Sequence, residues 1–478
     1  MDKPVKDILI CGGGLAAWIT AAALSRALPD EVSLTVLDIP DTDKFDMLYG
    51  TVTAPAAYGF FLEIGLSEPD LLRLTHTAFS FGTHYMQWGS PSRSWVQCHH
   101  LPFPARDNVP FVHYFTGRTD ARLEDFLVSA QAGLRGVFAH PPEQARIPLS
   151  RAEYGYLFSP IELCNALKSV VSSRNITVKA HEIRCVRTNE TGIFGIETAD
   201  EKNLQADLFI DCSGPDAKLL TALNTAFTPE REVRASWQCL PSAPPWPPLR
   251  NVHGSDRGWT AGTSVRGQKI TFQISDTDSE HHKSGRNILF GKREKAWVGN
   301  CVATGHAASV IDPVSPAPMM LLQRDVERLL GLIPLSEDMT VEAREYNRRF
   351  ESDFEHANLF NQALYAIDDA PDTPFWQQAQ SRGDKLRRKI SQFENRGIPV
   401  AFDMESFNEE DWSILHFGMG RKIKNRNFFA ELADTRDIDS NLAKLKQSIA
   451  QTVLKMPPHH VYISKLIAYL ERKNVGRA

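Results

Sequence analysis

Gly12, Gly14 and Ala17 stand in a G-x-G-x-x-A spacing, a pattern that holds phosphate with the main chain rather than with side chains. The first glycine permits a tight turn, the second lets the backbone approach a pyrophosphate, and the small third residue lets helix pack on strand. The N–H groups of Gly13, Gly14, Leu15, Ala16 and Ala17 open a helix, whose positive dipole end suits an anion. Asp38 closes the next apolar run and suits a ribose hydroxyl. These residues read as a dinucleotide site; a glycine turn kept only for packing is the weaker reading.

Two distant segments narrow the choice of dinucleotide. Residues 208–214 (LFIDCSG) form an apolar strand whose end, with Asp211 and Gly214, can come close to a cofactor. Residues 296–308 (AWVGNCVATGHAA) lead a strand into Gly305, His306 and Ala307, a second place to aim N–H groups at a ring oxygen or anion. One N-terminal turn with a distant strand–glycine–helix element, and no second G-x-G-x-x-G for a nicotinamide, is the arrangement of FAD monooxygenase-like proteins. FAD is therefore the expected cofactor, and a separate flavin reductase the expected partner.

The elements that must position these residues follow from hydrophobic period and turn residues. Residues 7–11 and 32–37 read as strands flanking an alanine-rich helix at 16–28, followed by a loop at 38–55 and helix to 74. Strand character at 79–88, a helix at 160–173 and strands near 177, 192 and 208 come next. The stretch PSAPPWPP (241–248) is a connection, strands resume at 258–275 and 296–304, and the pattern from Met319 is helical. The expected fold class is α/β: a discontinuous Rossmann-type FAD-binding domain over 1–350, with a β-rich substrate-side insertion around 76–150 and 225–290. A mostly helical region, 351–478, completes it on the substrate side.

Bulk properties exclude several classes. With 478 residues, 42% hydrophobic and 23% charged, the composition is globular. A net charge of −5 gives no general pull toward nucleic acid or an anionic membrane. No apolar run has the length of a membrane span, and the N-terminus enters a strand without a signal-peptide pattern. Seven scattered cysteines read as reduced thiols in a cytoplasmic compartment. The pairs His99–His100 and His459–His460 lack metal-ligand spacing, so no metal is expected.

The chain resembles the flavin-dependent tryptophan halogenase family over more than 400 residues. GGGLAAW (12–18) resembles that family's GGGxAGW, and YGTVTAP (49–55) its GEATVP, keeping Gly50, Thr53 and Pro55. The DCSG turn, WVGNCVATGHAA, the YN at 346–347, DTPFW (372–376), GMG (418–420) and KMPPHHVY (455–462) recur in the same order. The resemblance implies reduced FAD delivered by a partner enzyme, and hypohalous acid that travels to a lysine beside an aromatic substrate, with a glutamate assisting. It also implies that Gly50 and Thr53 line the flavin.

This chain departs from that pattern at each catalytic position. The lysine segment, similar to TFKLGIRFxNW, reads AFSFGTHYMQW (78–88) and places Ser80 at the lysine. The glutamate segment, similar to EPLEST, reads DPVSPAP (312–318) and places Ser315 at the glutamate. The halide-binding N–H groups match Ala317 and Pro318, and proline has none. WxWxIP is reduced to WTAGTS (259–264), where Ala261 and Thr263 are expected to open room beside the flavin.

The leading expectation is a two-component monooxygenase that hydroxylates an indole or phenol in secondary metabolism. The alternatives are an FAD-dependent oxidase or dehydrogenase, a divergent halogenase, and a non-catalytic flavin-binding protein. His306, His84 and His113 are candidate acid–base residues because histidine titrates near neutrality, with Ser80 and Ser315 at the altered positions. Asp312 either caps a turn or serves the flavin site. Phe79, Phe81, Tyr85, Trp88, Phe103, Phe111 and Tyr114 would wall a flat substrate or fill the core, and RKIKNR (421–426) would meet an acidic substrate or solvent. The aromatic substrate is expected free, or tethered to a carrier or peptide.

Overall fold

The fold was analysed in a computed structural model, which describes residues 4–475 other than 104, 107–108, 117–120, 144–146, 173, 278–284, 381–382, 401, 429 and 431–434. Strand Asp7–Cys11 lies between Leu208–Asp211 and Ser33–Asp38 in a six-stranded sheet. Cys301–Ala303 and Thr177–Ala180 extend it in parallel on either side, and Trp297–Val298 closes one edge as an antiparallel hairpin. Cys11 pairs with Asp211, and Asp211 with Ala303, so three chains leave the sheet at one level.

Helix Leu15–Ala27 follows the first strand, and its residues from Leu15 to Leu24 are all buried. Five alanines let helices Pro160–Ser172 and Ala317–Gly331 pack close against it, which a row of larger side chains would prevent. Burial on all sides replaces the one-faced pattern of a surface helix.

A second sheet has eight strands. Its order is Ser309–Val310, Arg286–Arg293, Phe227–Pro241, Gln268–Ser275, Gly258–Val265, Arg250–Ser255, Thr83–Met86 and Ser94–Gln97. All neighbours are antiparallel except Arg250–Ser255 with Thr83–Met86. The insertion expected to be β-rich over 76–150 also contains helices Phe111–Phe115 and Val128–Leu134. Aromatics at i and i+4, Phe111 and Phe115, stack with centroids 6.1 Å apart and favour a helical turn there. The loop expected over 38–55 contains a short 3-10 helix, Asp43–Tyr49. Among the described residues no helix is long and apolar enough to cross a membrane.

Helices Thr340–Tyr365, Asp384–Arg396 and Glu409–Gly418 belong to the C-terminal region. Its interior is held by Lys389, whose Nζ donates to both oxygens of Glu405 at 3.0 and 2.9 Å and sits over the rings of Phe402 and Trp412. Glu405 also accepts from Trp412 Nε1 at 2.8 Å and Phe402 N at 2.7 Å. Both charges are almost wholly buried, so removing one strands the other. Lys389→Met is expected to lower stability by about 3–5 kcal/mol in urea unfolding. A loss no larger than that of an exposed lysine substitution would contradict this account.

Candidate active site

The glycine turn is built by crowding. A Cβ on Gly12 would lie 2.3 Å from the Cys212 carbonyl oxygen, and one on Gly13 2.2 Å from Asp38 Oδ1. Gly12 N donates to Leu37 O at 3.0 Å, which ties the turn to the strand that ends in Asp38. Lys168, on helix Pro160–Ser172, brings its ammonium 3.5 Å from Asp38 and over the Trp18 ring. Neither Lys168 nor its partner strand is marked by any sequence motif.

The turn's amides already have partners. Leu15 N donates to Asp46 Oδ1 and Oδ2 at 3.0 and 2.9 Å, and Gly13 N to Thr42 Oγ1 at 2.7 Å. Burial pushes the Asp46 carboxyl well above its ordinary range, against the Leu15 N–H and Lys168, which favour the charge. Gly214, at φ +82°, faces the same segment: an added Cβ would meet the Phe45 ring at 3.5 Å.

On the other side, Gly305 (φ +62°) presses on the helix start, where an added Cβ would come 3.0 Å from Ala16 Cβ and 2.1 Å from Tyr49 OH. Gly305 N donates to Asp325 Oδ2 at 2.8 Å, and His306 N to Tyr49 OH at 3.1 Å. The His306 ring stacks on Tyr49 at 3.8 Å, and its Nε2 has no hydrogen-bond partner. Burial pulls the His306 pKa down to about 3, so the ring is neutral at physiological pH. Ala307 completes the turn, and Gly50 (φ +77°) lies near Pro313, whose Cβ an added Cβ would meet at 3.7 Å.

Several sequence candidates are occupied in holding the fold. Asp211 accepts from Ser213 N and Oγ, Leu219 N and Leu220 N, so its carboxylate fastens the following loop. Thr53 pairs with strand Gly155–Leu157 through Tyr156 N, which donates to Thr53 Oγ1 at 2.9 Å. Asp312 accepts from Arg231, from Tyr365 OH at 2.7 Å and from Val314 N at 3.0 Å. It borders a 250 Å³ cavity with Arg231, Phe290 and Tyr365.

Ser80 is 1% exposed and its Oγ accepts from Gly82 N at 3.1 Å. Ser315 Oγ donates to Asn361 Oδ1 at 2.6 Å and accepts from Ala317 N at 3.2 Å. Ala317 N–H is thus engaged, and Pro318 has none to offer. The space lined by Gly82, Thr83, Tyr85 and Ser315 is only about 10 Å³, room for one water. The room expected at Ala261 and Thr263 is filled: Ala261 pairs with Phe272, and Thr263 Oγ1 meets Thr51 Oγ1 at 2.5 Å.

His84 lies on the opposite face of its strand from Tyr85, which points inward to Val314 O. His84 Nε2 meets Ser94 Oγ at 2.9 Å, and desolvation, with His253 and Arg122, lowers its pKa to about 4. His113 borders a separate cleft of 380 Å³ with Leu101, Val112, Arg396, Ile398 and Pro399. The aromatic set is core rather than wall: Phe79 stacks on Phe138 at 4.6 Å, Tyr85 on Trp95 at 4.5 Å, and Phe103 meets Phe111 and Tyr114 edge-on. Within RKIKNR, Arg421 is buried and donates to the carbonyls of Ala363 and Ala366, and Ile423 is buried, while Lys422, Lys424 and Asn425 are exposed to solvent.

The family model described as tryptophan halogenase matches residues 7–261 and 268–435. The chain belongs to the tryptophan halogenase family. It is 24% identical to a tryptophan 6-halogenase of Streptomyces albogriseolus over 84% of each chain. With a tryptophan 7-halogenase of Lentzea aerocolonigenes it shares 21% identity over 82% of each. Its fold matches that of a flavin-dependent halogenase from a Brevundimonas species with a TM-score of 0.89 at 22% identity, over 97% of this chain and 99% of that one.

The family's cofactor is FAD, and most of the residues present fit it. Gly12, Gly13 and Gly14 keep the helix start free of side chains where the backbone turns tightly, and His306 keeps an orphaned buried nitrogen. Asp46, on the helix start, is the exception. In the unfolded chain His306 titrates near 6.5, so as pH falls below that value unfolding takes up a proton the folded state refuses until about 3. Stability should fall by about 1.4 kcal/mol per pH unit from this group alone. Urea unfolding at pH 6, 5 and 4 should show a slope shallower by one proton in His306→Asn; equal slopes would refute the assignment.

Proposed function

We propose that the chain is a divergent flavin-dependent halogenase that receives reduced FAD from a separate reductase and oxidises an aromatic substrate. The observation that carries this reading is the phosphate-type glycine turn, intact in a chain that matches the family along most of its length. Bound and reduced, FAD supplies the electrons that activate dioxygen. The N–H groups of Gly13, Gly14, Leu15, Ala16 and Ala17 would hold its pyrophosphate, and Asp38 its ribose. Gly12, Gly214, Gly305 and Ala307 give close approach without side chains, while Gly50 and Thr53 border the site from the facing segment. Asp211 and Asp312 support it by fixing the loops they cap.

Neutral His306 can accept a hydrogen bond beside the turn through one ring nitrogen but carries no standing positive charge. His113 is the histidine that meets substrate, in a cleft whose Leu101, Val112 and Ile398 suit a flat ring. Arg396 lines that cleft together with Glu409 and Glu410, and Arg426 faces His113, so the cleft offers charged partners of both signs to a free or tethered substrate. Ser80 and Ser315 can only donate or accept hydrogen bonds, so neither replaces the lysine or the glutamate.

Halogenation is favoured over hydroxylation because the relatives matched across the chain are halogenases. Hydroxylation stands second, supported by Ala317 N–H and Ser315 being bonded to each other rather than open to halide. Purified protein with FAD, a flavin reductase, an indole, ¹⁸O₂ and bromide separates the two by product mass. Brominated product is expected; ¹⁸O incorporation without bromide dependence would replace the first reading with the second, and unmodified substrate would overturn both.

A further inference from the structure

We propose that the Asp46 carboxyl is a built-in occupant of the pyrophosphate position, so that FAD enters only as segment 39–49 swings away. The inference rests on the glycine turn being the FAD site. Asp46 places both oxygens within 3.0 Å of Leu15 N, the first amide of helix Leu15–Ala27. A Cβ on Gly14 would fall 2.6 Å from Asp46 Oδ1, so the carboxyl lies on the face that a phosphate needs. The same segment takes a second donor, since Thr42 Oγ1 accepts from Gly13 N. Two donors of the turn are thus held by one stretch of chain before any cofactor arrives.

The Asp46 carboxyl and a diphosphate need the same N–H group and the same space beside Gly14, so they exclude one another. The segment is equipped to move as a unit. Asp41 (φ +63°) and Gly50 (φ +77°) bracket it with left-handed backbone, and between them Thr42, Asp46 and Tyr49 make its ties to the turn and to His306. Asp43 and Lys168 are the charged groups that face Asp46, and only Lys168 favours its ionised form. Once Asp46 leaves, Lys168 is the cation left beside the turn, within reach of a phosphate through its place near Asp38. Segment 39–49 therefore lowers FAD affinity by the free energy needed to open it.

The test is FAD titration of the full chain, followed by quenching of flavin fluorescence, with thermal melting run beside it. Asp46→Ala is expected to tighten FAD about tenfold, and Asp46→Asn less, because its amide oxygen still accepts from Leu15. Should Asp46→Ala not fold, Thr42→Val, which frees Gly13 N, is expected to tighten FAD in its place. Hydrogen exchange in segment 39–49 of the wild-type chain is expected to change when FAD binds. Wild-type protein that binds FAD, with variants no tighter or exchange in 39–49 unmoved, overturns the latch and leaves the FAD site standing. Failure of wild type and variants alike to bind FAD overturns the reading of the turn, and the latch with it.

Discussion

Three strand ends share one level of the parallel sheet, and the rest of the site depends on how little space this leaves. Cys11, Asp211 and Ala303 lie side by side, so the chains that continue from them must turn within contact of one another. Gly12 passes the Cys212 carbonyl, and Gly305 passes Ala16 and Tyr49, at separations no side chain could survive. Small residues at those points are a steric requirement first. Exposed amides at a helix start follow from that requirement, and an acidic group, whether the Asp46 carboxyl or a phosphate, follows from the amides.

A second set of contacts ties this turn region to the antiparallel sheet. Trp259 Nε1 donates to Tyr365 OH, Tyr365 to Asp312, and Arg231 to the same carboxylate from strand Phe227–Pro241. Arg250 donates to the carbonyls of Pro313 and Val314, and Tyr85 OH to Val314. Segment 312–318 is therefore gripped from both flanks by buried donors, and its backbone has little freedom. The pairing is not complete, since one guanidinium nitrogen each of Arg231 and Arg250 stays buried without a partner, so the network fixes one geometry more than it adds stability.

Most of the parallel sheet was legible because its strands are short apolar runs broken by glycine and because the helix between them is rich in alanine. The family could be read from motifs that survive in order. What could not be read were partners distant in sequence. Asp46 belongs to a stretch, DKFDMLY, with no helical or strand period, and its bond to Leu15 is a tertiary contact. Asp211 reads as facing a cofactor because a strand end does not reveal which side its carboxylate takes; the loop amides of Leu219 and Leu220 decide that. The space expected at Ala261 and Thr263 depended on side chains from Phe272 and Thr51, which no local pattern brings together. The aromatics of 79–114 were compatible with wall or core, and only packing separates the two.

Ser80 and Ser315 also bear on one another. Each is buried and satisfied within its own neighbourhood, one by Gly82 and the other by Asn361 and Ala317. A lysine at position 80 would replace a side chain that is 1% exposed and bonded to Gly82, without a carboxylate at position 315 to meet it. A glutamate at position 315 alone would lack its cation and displace the bond that caps helix Ala317–Gly331. Either step alone buries an unpaired charge, at a cost of several kcal/mol. The two positions are thus coupled like the teeth of a ratchet: this fold takes a lysine at 80 or a glutamate at 315 only together with the other.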